Sequence, residues 1–135
     1  MVNYMAELSK EVKIVFIINA ISAFIYAFLF LVIPDTYAQV MEEAIYNPIS
    51  YRQVGASLLI LGIGNVLAIK RDDLEKAKLF WEIGIIYVIL MLIVGIWGAF
   101  ALPGTAAGQA GTWIANTILI VLSVLNIYVY YRETK

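Results

Sequence analysis

The chain has 135 residues, 63% of them hydrophobic and 14% charged, with a mean hydropathy of +0.89; soluble domains run at about 45–50% apolar and about 25% charged. Nine Lys and Arg against ten Asp and Glu give a net charge of −1, which leaves no basic surface for nucleic acid. Cysteine and histidine are both absent, so disulfides, thiol nucleophiles, thiolate or imidazole metal sites and axial histidines for haem are excluded, and no cofactor or metal is expected.

Four apolar runs cover most of the length, at 12–33, 51–69, 79–100 and 112–131. Each has about 20 residues, which at about 1.5 Å per residue matches a hydrocarbon core of about 30 Å. The expected fold is all-α, an integral membrane four-helix bundle forming a single transmembrane domain over residues 1–135. The second and third runs make a membrane hairpin around the charged turn Lys70–Lys78. No hydrophilic segment is large enough to fold as a catalytic domain. No nucleophile–base pair, metal cluster or paired buried carboxylates can be assembled, so an enzyme of a familiar type is not expected.

Residues Met1–Glu11 precede an apolar run longer than a signal h-region of about 7–15 residues, so a retained first helix is expected. Tyr4, Met5, Leu8 and Val12 are spaced for a short amphipathic lead-in on the membrane surface; a frayed terminus is the plainer alternative. The first span should end at Ile33, because Pro34 cannot continue the hydrogen-bond ladder, with Asp35 positioned to cap a second, short helix. Over 36–46, Tyr37, Val40, Met41, Ala44 and Ile45 share one face while Gln39, Glu42 and Glu43 take the other, which predicts that this helix is interfacial. It is either a lid over an opening between the helices or, more commonly, a connector resting on headgroups. Asn47-Pro48 stops it and starts the second span. The third span ends around Ala101–Gly104, and Thr105–Gly111, small and uncharged, reads as a loop before the fourth.

Four spans put both termini on one side. Lys10, Lys13, Lys70, Arg71, Lys76, Lys78, Arg132 and Lys135 fall on that side and Arg52 alone on the other, so the positive-inside rule predicts a multi-pass cell-membrane protein with cytoplasmic N and C termini. Trp97 and Trp113 are placed at the outer interface, and Trp81, Tyr128, Tyr130 and Tyr131 at the inner one.

Polar residues inside the spans are the candidate ligand-binding groups, since each is costly unless paired or facing a cavity. Asn19, Asn65, Glu82 and Asn126, one per span, lie about 6–10 Å below the inner boundary at about 1.5 Å per residue, so they could form a ring; interhelical glue of about 0.6 kcal/mol each is the favoured account. Glu82 could carry a proton or cation if buried, or could pair with Lys78 at the interface. Arg52, beside Gln53, has an ion pair to Asp35, Glu42 or Glu43 as its simplest account; turned inward with Asn116 it would make an anion or headgroup site. Gly55 and Gly62 share a face of the second span, and Gly84 and Gly95 one of the third; these small faces serve either the bundle or a homodimer.

The run Tyr51-Arg52-Gln53-Val54-Gly55 through Gly62-Ile63-Gly64, preceded by a helix that stops at Pro34 and followed by a charged turn, resembles the second helix of the DoxX-like small four-helix membrane proteins. That resemblance implies a four-helix bundle and little about activity. Small multidrug transporters are also short four-helix chains, but their essential carboxylate lies in the first helix, where this chain has Asn19. Two functional classes remain open. The first is an interaction or scaffold bundle that associates with itself or with a larger membrane partner through its glycine faces. The alternative is a binder or transporter of lipid or a small molecule, with an outer opening bounded by Arg52, Gln53 and the connector. The residues lean to the first, because every polar group has an adequate structural account.

Overall fold

A computed structural model describes residues 6–43, 45–102 and 104–135. Among them the chain forms five helices: α1 (Lys10–Leu31), α2 (Pro34–Val40), α3 (Pro48–Arg71), α4 (Leu74–Ala101) and α5 (Ala106–Thr134). All but α2 are long and apolar enough to cross a membrane. The fold is the all-α bundle that the composition requires, with a short helix between the first two spans.

The helix ends follow from capping chemistry, and several differ from the sequence expectation. Pro34 opens α2 at a position where its missing N–H is not needed; Ile33 is the N-cap and no side chain caps the helix. Asp35 therefore sits in the first turn rather than at the cap, and its carboxylate accepts the Tyr46 hydroxyl. The short helix spans 34–40 instead of 36–46, because Glu42 takes a left-handed backbone, φ 48°, at a cost of about 1–2 kcal/mol. Asn47 caps α3 as expected, its Oδ1 accepting the amides of Ile49 at 2.9 Å and Ser50 at 3.3 Å. The stretch 105–111 is not a loop. Thr105 caps α5 by accepting the Gly108 amide at 3.1 Å, and the alanines that follow favour helix.

The charged turn shrinks to Asp72-Asp73, with Asp72 left-handed at φ 49°. Its carboxylate accepts the Leu8 amide at 3.0 Å and pairs with Lys13 at 3.0 Å. Asp73 accepts the Lys76 amide at 3.2 Å and pairs with its ammonium at 3.0 Å, while the Leu74 amide donates to the Ala6 carbonyl at 2.9 Å. Ala6 and Leu8 are thus hydrogen-bonded to this turn, and Leu8 is buried in the core; Tyr4 and Met5 of the expected lead-in lie outside the described residues.

These bonds make acid sensitivity predictable. The Lys13 side chain, then the Leu8 amide, hold the Asp72 carboxyl below its ordinary 3.8; the Lys76 side chain, then its amide, do the same for Asp73. A depressed folded pKa stabilises fully above the unfolded value of about 3.9 and is lost as pH falls through the folded value. The thermal midpoint in maltoside micelles should be flat from about pH 7 to about pH 5 and fall below about pH 4, with a smaller fall in Asp72→Asn. A transition centred near about pH 6 would contradict this origin.

The long helices pack as two pairs. α1 lies most extensively on α3, and α4 on α5, with much thinner contact between the pairs. That contact is concentrated at the end carrying the termini, where Leu8, Val12, Val15, Phe16, Ala68, Ala77, Trp81 and Val129 form the core. Trp81 is only 1% exposed, with edge-on contacts to Phe16 at 5.0 Å and Tyr130 at 5.1 Å. It is therefore a core residue and not the interfacial anchor expected, because it shares with Ala77 the face of α4 turned into the bundle. Tyr128 and Tyr131 remain exposed on the outside. Toward the opposite end a cleft lies between the pairs.

Candidate functional site: the cleft between the helix pairs

The cleft holds two adjoining cavities that share Phe30, Tyr37, Met91, Ala115 and Leu119 in their walls. The inner one, about 160 Å³, is almost wholly apolar; the outer one, about 390 Å³, reaches the mouth beneath α2. Small residues of α4 and α5 lie along its walls. Gly95 and Gly98 of α4 and Gly108, Gly111 and Ala115 of α5 line the outer cavity, and Gly84 lines the inner one, with nothing within 4 Å of where its Cβ would stand. At Gly95, Gly108 and Gly111 the missing side chain instead lets Asn116, the Glu42 carbonyl and Met41 come close, since a Cβ would stand 3.0 Å from the carbonyl, 2.5 Å from Met41 and closer still to Asn116.

The inner floor is a closed polar network. Asn19 and Asn126 exchange amide hydrogen bonds, Asn19 Nδ2 to Asn126 Oδ1 at 2.7 Å and Asn126 Nδ2 to Asn19 Oδ1 at 2.9 Å. Trp81 Nε1 donates to the same Asn126 oxygen at 2.9 Å, and Asn126 also donates to the Leu122 carbonyl at 2.8 Å. Asn65 lines this cavity but bonds its own helix, at the Leu61 carbonyl, 2.8 Å away. Glu82 does not join them: one position beyond Trp81, it turns to α5, where its carboxylate accepts the Tyr130 hydroxyl, and among the described residues no ion pair joins it to Lys78. The expected ring of four is thus an amide pair clasped by a tryptophan, with Asn65 alongside and Glu82 apart.

Arg52 and Gln53 are both exposed and absent from the walls of either cavity. The inward face of α3 is the stripe Tyr51, Val54, Leu58, Leu61, Asn65, spaced at three and four residues, and positions 52 and 53 fall off it. Among the described residues no ion pair joins Arg52 to Asp35, Glu42 or Glu43. Asn116, by contrast, does face the cleft: it lines the outer cavity, is 2% exposed, and its Nδ2 has no hydrogen-bond partner among the described residues. Its Oδ1 lies against Gly95, where any side chain would collide with it.

The aromatic mouth is the part that sequence reasoning misses. Phe30 packs edge-on against Tyr37 at 5.0 Å and Tyr51 at 5.2 Å, and Tyr46 packs on Tyr51 at 5.1 Å. Burial, then the nearby Tyr26 and Glu43, push the Tyr37 phenol up to about 12, so the ring stays neutral. Glu42 and Glu43 complete the rim, with Glu42 held by the Thr105 hydroxyl. The signal that could have found this wall is the spacing of Gly108, Gly111 and Ala115, one small-residue stripe that is visible only once 106–111 is read as helix rather than loop.

No protein-family model matches the chain, and neither a curated protein nor a solved structure does.

Proposed function

We propose that this is a membrane-embedded binding protein for an apolar or amphiphilic molecule, held in the cleft between the α1–α3 and α4–α5 pairs. The observation that carries this reading is the pair of adjoining, mostly apolar cavities between the helix pairs, with the mutually bonded amides Asn19 and Asn126 at the inner one and Glu42 and Glu43 at the outer one, which is the usual make-up of a small-molecule site. A scaffold acting through its glycine faces is less well supported, because Gly55 and Gly62 are buried against Leu31 and Phe24 of the same chain. The charge distribution supports placing the termini in the cytoplasm and the mouth outside. Among the described residues nothing in the cleft pairs a nucleophile with a base, so binding or passage, rather than catalysis, is the role assigned.

The test is a residue with room around it. Gly84→Leu puts a side chain into the inner cavity without meeting a neighbour at its Cβ. Mass spectrometry of protein purified from membranes should find a hydrophobic molecule retained by the wild type, lost from Gly84→Leu and kept by Arg52→Ala. Equal retention by Gly84→Leu at unchanged thermal stability would refute the cleft as the site.

A further inference from the structure

We propose that the molecule held in the cleft carries a cationic, ammonium-type head, seated at the mouth among Glu42, Glu43 and the rings of Tyr37 and Tyr51, with its next acceptor oxygen on the Asn116 amide. This rests on the cleft being a binding site at all, and adds the chemical class of its occupant.

Three observations converge on that class. The first is the sign of charge: Glu42 and Glu43 line the outer cavity, and no Lys or Arg lines either cavity among the described residues. Arg52, the one basic residue at that end of the bundle, lies outside the walls, so the anion site it suggested is replaced by a site of opposite preference. The second is the aromatic wall. Tyr37 and Tyr51 stand with centroids 6.2 Å apart, both packed on Phe30, and neutral ring faces beside carboxylates attract a weakly hydrated cation more than an anion or a sugar. The third is Asn116, which lines the outer cavity and whose buried Nδ2, without a partner among the described residues, is a donor in want of an acceptor. An ester, ether or phosphate oxygen lies a few bonds inward of the ammonium in most ammonium-headed amphiphiles, and would reach that donor on a turn of the Asn116 side chain, whose nitrogen is closed to solvent as it stands.

The geometry holds these groups in place. Glu42 is fixed by its left-handed backbone and by the Thr105 hydroxyl, and its carbonyl lies over Gly108, where a Cβ would come within 3.0 Å of it. The rim is thereby clamped to the start of α5. From Gly95, beside Asn116, to Trp81 on the floor is 14 residues of α4, about 21 Å at about 1.5 Å per residue, the length over which the two adjoining cavities follow that helix.

The experiment uses Trp81 as a reporter, in the full chain carrying Trp97→Phe and Trp113→Phe, in uncharged maltoside micelles. Three single-chain esters with the same tail, brominated at its end, differ only in head: trimethylammonium, sulfonate or glycerol. The trimethylammonium probe should quench Trp81 at about tenfold lower mole fraction than the sulfonate. Glu42→Gln with Glu43→Gln should abolish that difference while leaving the glycerol probe unchanged, which also shows that the cleft persists. Asn116→Leu should weaken all three esters and keep their order. A tail-brominated phosphatidylcholine separates the two sources of such a head: quenching by it assigns a membrane lipid, and quenching by the single-chain ammonium alone assigns a free amphiphilic amine. Equal or tighter sulfonate binding, or a preference that survives the double Gln variant, overturns the proposal with the cleft intact. If no head group quenches Trp81, the binding reading itself falls and takes the proposal with it.

Discussion

Trp81→Ala is expected to destabilise the bundle by about 2–4 kcal/mol, measured as a shift in denaturant-detergent unfolding in mixed micelles. In lipid the transfer part of a core truncation is small, since the bilayer is as apolar as the core, but lost packing remains. Trp81 has the most to lose, because its indole touches Phe16 and Tyr130 and sits where the two helix pairs meet. Trp81→Phe should cost far less, about 0.6 kcal/mol for the lost Nε1 hydrogen bond plus a modest packing loss. Asn126→Leu removes the acceptor of both Trp81 and Asn19 and should cost about 1–3 kcal/mol, whereas adding Asn19→Leu should bring little further loss, since the second amide is then no longer left unpaired. If Trp81→Ala were no worse than Trp81→Phe, the pairs would have to be joined elsewhere.

The spans, their order and the grouping of charge at the termini end were legible because length and hydropathy depend only on local sequence. The helix start at Asn47 and the stop before Pro34 were legible for the same reason. What could not be read was which side of each helix turns inward. Every span is apolar nearly all round, so lipid-facing and cleft-facing residues carry almost the same hydropathy, and the inward stripe has to be found from size. Trp81 shows the consequence: an aromatic near a span end reads as an interfacial anchor, and only the Asn126 acceptor across the bundle makes its burial tolerable. Asn116 was picked out by depth and does face the cleft. Arg52 and Glu82 were picked out by charge, yet a single charge has two ways to be satisfied at a span end, and both residues turn away from the cleft. The glycine faces were legible as packing surfaces, though not whether their partner was this chain or another.

Those glycines give the most direct test of the two-pair architecture. A Cβ at Gly55 would stand 2.8 Å from Leu31 Cγ, 2.9 Å from Leu31 N and 3.1 Å from the Phe30 carbonyl carbon; two of these are backbone atoms of α1, which cannot move without moving the helix. At Gly62 the obstacle is the Phe24 ring, 2.7 Å away, and a ring can swing. At Gly84 nothing lies within 4 Å. Gly55→Ala should therefore cost about 2–3 kcal/mol by forcing α1 off α3, and Gly62→Ala about 1 kcal/mol. Gly84→Ala should be neutral or stabilising by up to about 1 kcal/mol, from the better helix propensity of alanine. The ordering, measured by the same micelle unfolding, separates a tight α1–α3 seam from an open cleft facing α4. Should Gly84→Ala prove as costly as Gly55→Ala, α4 would be packed against a partner at that face and no cleft would be left for a ligand to fill. Should Gly55→Ala instead dissociate an oligomer while each bundle stays folded, the seam would lie between chains, and the scaffold reading would regain its surface.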